Sequence, residues 1–128
     1  MTPLVIAAVV AAGAAGAALR WLVSGRFSRA DQTLPWAVLL VNIAGSLVAG
    51  LALAISETLG APDVRLIVLG GFAGGLTTFG TLSLETVQLL LGGRVRTAVL
   101  SIVANLAAGI AAFLIGWGAV TLVAGLSV

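Results

Sequence analysis

Gly70-Gly71-Phe72-Ala73-Gly74-Gly75-Leu76-Thr77-Thr78-Phe79-Gly80-Thr81-Leu82-Ser83-Leu84-Glu85 is the stretch on which the fold turns. It carries five glycines, three threonines and a serine, and its first fifteen residues hold no charge. Each glycine costs a helix interior about 1 kcal/mol relative to alanine. Threonine hydroxyls can satisfy carbonyls that a disturbed helix sets free. The composition therefore predicts a helix interrupted around Gly74 to Thr78, with backbone groups turned toward a cavity or a partner. Interrupted helices at membrane depth commonly build ion sites; a structural break without an ion is the competing reading.

The rest of the chain places that stretch in a bilayer. Of 128 residues, 61% are hydrophobic and 8% charged, and the mean hydropathy is +1.26. A soluble domain of this size needs a polar shell that ten charged side chains cannot supply, so lipid must be the solvent for most of the surface. Residues 1–19, 32–56, 66–84 and 97–128 contain no charged side chain. With about 20 apolar residues needed per crossing, the chain reads as one transmembrane domain over 1–128. Its helices are expected at about 3–24, 35–57, 64–91 and 95–122. The apolar N-terminus, without a basic leader, reads as a first span rather than a cleaved signal.

The connections agree. Ser24 to Gln32 is polar and ends before Pro35, which suits a first helical turn. Gly60-Ala61-Pro62-Asp63 separates the second helix from the third, and Gly92-Gly93-Arg94 ends the third. Trp21, Trp36 and Trp117 fall near span ends, as interfacial anchors do. Gly13, Gly16 and Ala17, then Gly45, Ala49 and Gly50, then Gly109, Ala112 and Gly116 form small-residue faces that let helices approach closely in lipid. Four such helices enclose little interior, so an oligomer is expected.

Composition also excludes classes of function. The basic residues are six arginines, too scattered for a nucleic-acid partner, and histidine and cysteine are absent. No nucleotide-binding loop or catalytic constellation is present, so the chain does not read as an enzyme or a primary pump.

Polar residues inside the spans are then the informative ones, because each costs free energy unless something satisfies it. Asn42 and Ser46 lie one turn apart in the second helix, and Ser101 and Asn105 repeat the spacing in the fourth. Their plainest role is interhelical hydrogen bonding, worth about 0.6 kcal/mol each. Glu85 lies within the third span; it is either an ion or proton group or an acceptor for nearby hydroxyls. Arg20 ends the first span and either draws anions into a vestibule or snorkels to the headgroups. Its helix is brought close to a neighbour by Gly16 and Ala17. Asn, Ser and Thr offer donors and phenylalanine a positive ring edge, whereas a cation path would want carboxylate rings or stacked carbonyls. The inventory points to an anion or polar-solute pathway.

At these residues the sequence resembles the Fluc (CrcB-type) fluoride channel family over nearly its whole length. Gly13 to Trp21 looks like the family's G-x-x-G-x-x-x-R-[WY] segment, and Val41 to Ser46 like its second-helix N-x-x-G motif. Gly71 to Thr81 is similar to its G-F-x-G-G-x-T-T-F-S-T-F signature, and Gly92 to Arg94 with Ala104 to Gly109 to its fourth helix. The resemblance implies a passive fluoride-selective channel in the bacterial inner membrane that exports cytoplasmic fluoride and confers fluoride resistance. It implies an all-α, antiparallel, dual-topology dimer, with a structural sodium ion at the dimer centre held by the carbonyls of Gly74 and Thr77 from each subunit. Asn42 would be the pore-lining donor and Phe79 the first of two phenylalanines whose ring edges face the ion. Thr81, Ser83 and Glu85 would form a polar track. Ser101 and Asn105 would flank the pore from the fourth helix, and Arg20 would sit at a vestibule.

Three positions depart from the pattern: Leu82 replaces the second phenylalanine, Gly80 a serine and Ser101 a fourth-helix tyrosine. The arginines are also lopsided. Arg20, Arg26, Arg29, Arg94 and Arg96 belong to one side and Arg65 alone to the other, a bias that favours a single orientation. Besides a homodimer, one subunit of a heterodimeric channel is therefore a reading. A small multidrug-type exporter would need a central acidic residue in an early span, and the first two spans have none.

Overall fold

In lipid the backbone must satisfy its own hydrogen bonds, and helices do so within one segment. The structure, a computed structural model describing residues 1–27 and 34–126, is all-helical. Helix α1 covers Pro3–Phe27 and α2 Trp36–Leu59. Helix α3, residues 62–76, joins Pro62–Val64, a π-helical stretch Arg65–Ala73 and Gly74–Leu76. Helix α4 is Phe79–Leu91 and α5 is Val95–Gly125. Between α3 and α4, Thr77 (φ −74°, ψ 158°) and Thr78 (φ −148°, ψ 115°) are extended.

Four helical spans of 25, 24, 30 and 31 residues are long and apolar enough to cross a membrane, the third being Pro62–Leu91. Three of them run past the ends expected from the apolar stretches. Helix α1 continues through Ser24, Gly25 and Arg26 to Phe27, because its last turn gains from a cation beside the exposed carbonyls. Helix α2 starts one residue later than expected, with Pro35 as its N-cap. It ends at Gly60, whose left-handed φ of 60° directs its N–H to the Ser56 carbonyl. The Ser56 hydroxyl then donates to the Ala61 carbonyl at 3.0 Å, and Pro62 opens α3. The remainder of the first polar connection, with Arg29, lies outside the described residues.

Packing follows the small residues. Helix α1 lies parallel to α3, and α2 parallel to α5. A Cβ on Gly16 would collide with the Phe72 carbonyl, and one on Gly75 with the Gly13 carbonyl. A Cβ on Gly50 would collide with the Phe113 carbonyl, so backbone meets backbone at both pairs. Buried Ala37, Ala52, Ala54, Ala73, Ala98 and Ala112 continue this thin core. The large side chains, including Leu4, Val10, Leu91, Ile110 and Leu122, stand exposed on the outside, where lipid replaces water.

Candidate functional site

The polar groups of the spans converge on the extended pair Thr77–Thr78. In an unbroken helix the Thr78 N–H would close onto the Gly74 carbonyl four residues back. It donates instead to Asn42 Oδ1 at 2.8 Å. Asn42 Nδ2 returns a longer bond to the Thr78 carbonyl at 3.3 Å and a short one to Asn105 Oδ1 at 2.8 Å. The Asn42 amide has one acceptor and two donor hydrogens in use, so it splints the extended backbone of the third span to α5. Asn105 in turn donates through Nδ2 to the Ser101 carbonyl at 2.9 Å.

Threonine chemistry finishes the two helix ends. Thr77 Oγ1 donates back to the Ala73 carbonyl at 2.9 Å, and the Thr77 N–H shares that carbonyl, also at 2.9 Å. Thr78 is the N-cap of α4: its Oγ1 accepts from the Thr81 N–H at 3.1 Å and donates to Thr81 Oγ1 at 2.9 Å. Arg20 reaches across from α1, and its Nη1 donates to the Thr77 carbonyl at 3.2 Å. The third span is thus held at one point by α1, α2 and α5 together.

Other expected residues stand apart from this network. Phe79 is 81% exposed, its ring uncovered by its own chain. Leu82 is 7% exposed and belongs to the core. Ser83 Oγ donates to the Phe79 carbonyl at 2.9 Å within its own helix. Among the described residues, two buried polar atoms have no hydrogen-bond partner: Glu85 Oε2 and the hydroxyl of Ser101, a residue only 1% exposed. It is the Ser101 carbonyl, not its hydroxyl, that joins the asparagine network. Thr78, which the sequence placed in the interruption without a role of its own, is the residue on which these bonds centre and the N-cap of α4.

Beside this network, an open groove of about 300 Å³ on α5, bordered by Ser46 of α2, is lined by Ser46, Asn105, Leu106, Gly109, Ile110, Phe113 and Leu114. Its polar contributors are Ser46 and Asn105. The lining is otherwise apolar and carries no carboxylate.

A cation would find oxygen at the extended pair. The Gly74 carbonyl has lost the Thr78 donor, and the Thr77 carbonyl lies at the same helix end, so both fit a hard ion that takes oxygen ligands. Among the described residues no group of three or more His, Cys, Asp or Glu converges.

Four apolar spans pinned together through a mid-span asparagine–threonine network define a multi-pass membrane protein with a polar seam. The family model described as CrcB-like protein, Camphor Resistance (CrcB), matches residues 7–117. The chain belongs to this CrcB-like family. It is 41% identical over 102 residues to a protein of Serratia proteamaculans, covering 78% of this chain and 80% of that one. It is 39% identical over 117 residues to one of Sulfurovum sp., covering 91% and 93%. A third, of Methanopyrus kandleri, is 43% identical over 117 residues, covering 89% and 87%. Each of the three bears the name fluoride-specific ion channel FluC.

Proposed function

We propose that this protein is a passive, fluoride-selective channel of the bacterial inner membrane, exporting fluoride and so conferring fluoride resistance. The observation that carries the reading is the neutral donor seam of Asn42, Asn105, Thr78 and Ser46, which contains no carboxylate. The names of the similar proteins supply the identity of the anion. Fluoride enters cells as neutral HF and dissociates inside, and the membrane potential then drives the anion outward through a pore without a coupled energy source.

The pathway runs along Asn42, Phe79, Thr81, Ser83, Ser101 and Asn105, with Glu85 on the polar track and Arg20 toward the vestibule. The extended pair Thr77–Thr78 acts as a functional break in the third span. An antiparallel dual-topology dimer completes the pore; the uncovered Phe79 ring supports a partner, since its own chain provides no neighbour for it. A structural sodium ion at the dimer centre is held by the Gly74 and Thr77 carbonyls of each subunit, neutralising carbonyl charge at the helix ends. The buried position of Leu82 supports the view that loss of the second phenylalanine is absorbed by the core.

A heterodimer with a homologous, oppositely oriented subunit is the second reading. It is favoured by Arg26, Arg94 and Arg96 at one end of the spans against Arg65 at the other. Purified protein in liposomes, with a fluoride electrode outside and chloride as control, tests both. Rapid fluoride release with little chloride release establishes a homomeric selective channel. Folded protein that releases none refutes it, and recovery with a co-expressed homologous subunit establishes the heterodimer.

A further inference from the structure

The Thr77 carbonyl, one of the oxygens proposed for sodium, already has a cation on it. Arg20 Nη1 lies 3.2 Å away, and among the described residues Arg20 has no carboxylate to neutralise it. The reason for the contact lies in the third span. Its first half ends at Leu76, so the final carbonyls of α3 lack helical donors, and the helix dipole adds negative potential there. The Thr81 N–H, which would otherwise reach Thr77, is turned to Thr78 Oγ1. The backbone crowding of Gly16 against Phe72 and Leu76 fixes α1 so that Arg20, one turn after Gly16, arrives at that oxygen.

We propose that Arg20 is the resident counter-cation of the third-span carbonyls and that a sodium ion at Thr77 binds by displacing its guanidinium. The proposal rests on the sodium site in the reading above and concerns which cation holds that oxygen. A sodium ion and a guanidinium sharing one carbonyl would be near neighbours, and two like unit charges so placed repel strongly at a half-buried site. Arg20 is then a positioning residue whose hold on the Thr77 carbonyl competes with sodium.

The test measures the thermal unfolding midpoint of the purified full chain against sodium chloride, with N-methylglucamine chloride holding ionic strength constant. Wild type, Arg20→Gln and Arg20→Lys are compared. Glutamine keeps an N–H donor and loses the charge, whereas lysine keeps the charge. The expected result is a half-effect sodium concentration at least about tenfold lower in Arg20→Gln, with Arg20→Lys within about threefold of wild type. A sodium response that is equal or weaker in Arg20→Gln overturns the proposal and leaves the sodium site standing. No sodium response in any of the three overturns the site and the proposal together. A measurement on wild type alone is independent of whether a variant folds. The Arg20 guanidinium 15N resonance is expected to shift with sodium and not with N-methylglucamine; a fixed resonance overturns the displacement.

Discussion

The short bond between Asn42 and Asn105 is the feature whose worth can be isolated most cleanly. Truncating Asn42 to alanine removes two bonds of 2.8 Å and one of 3.3 Å. It leaves the N–H of buried Thr78 without an acceptor, a loss of about 1–3 kcal/mol by itself. Truncating Asn105 removes the shared bond and the one to the Ser101 carbonyl. The two single losses share only the Asn42–Asn105 contact, so the double variant should be less damaging than their sum. Interhelical hydrogen bonds in membranes are worth about 0.6 kcal/mol on average and reach about 1.7 kcal/mol. A 2.8 Å bond whose acceptor residue is buried belongs in the upper half, giving an expected coupling of about 1 kcal/mol. Denaturing-detergent titration in mixed micelles, followed by the fluorescence of Trp21, Trp36 and Trp117, measures all four corners of the cycle. Single losses that add to within about 0.3 kcal/mol would refute the idea that the two asparagines act as one unit.

Four further outcomes follow from the same geometry. Asn42→Asp keeps an acceptor for the Thr78 N–H but places negative charge against Asn105 Oδ1 and the Thr78 carbonyl, so fluoride efflux from liposomes should fall by about two orders of magnitude or more; full flux from a folded variant would take Asn42 off the ion's route. Gly75→Ala drives a Cβ into the Gly13 carbonyl and should cost about 1–3 kcal/mol in the same unfolding titration. Gly80→Ala meets open space in the first turn of α4 and should be neutral or stabilise by up to about 1 kcal/mol. Thr78→Ala removes the N-cap of α4 and should cost about 1 kcal/mol, with Thr78→Ser restoring most of it.

The number and rough placement of the spans were legible because charge is scarce and the bilayer sets their length. The ends were less so: α1 gains three residues and α5 three beyond the expected limits, since a helix continues while its carbonyls find donors, whatever the side chains. Close helix contact could be read from Gly16 and Gly50, because only a missing Cβ permits such approach. The partners of Asn42 could not. Residue types show that an amide must be satisfied but not by whom, and the choice of Thr78 and Asn105 depends on a helix register that no local pattern encodes. The π-helical stretch Arg65–Ala73 had no signal in the sequence either, for its residues are compatible with an ordinary helix.

That register changes what an anion would encounter. Read as a list, Asn42, Asn105 and Ser101 look like donors waiting for fluoride. In the fold, both Asn42 donor hydrogens are already engaged, and Asn105 spends its oxygen on one and a donor on Ser101. An ion passing Asn42 therefore has to take over a bond rather than fill a vacancy. The weak 3.3 Å bond to the Thr78 carbonyl is the one lost at least cost, since the 2.8 Å bonds hold α5 and the extended backbone in place. Ser46 lines the groove beside Asn105, whereas the Ser101 hydroxyl, one turn before Asn105 on α5, is buried and closed off from it. A small anion seated in the groove beside Ser46 and Asn105 would need only that weak bond to yield, and the third span would keep its shape. A larger anion would have to part α2 from α5, against the backbone contact of Gly50 with Phe113. Selectivity would then rest on the stiffness of the helix pair as much as on the donors themselves.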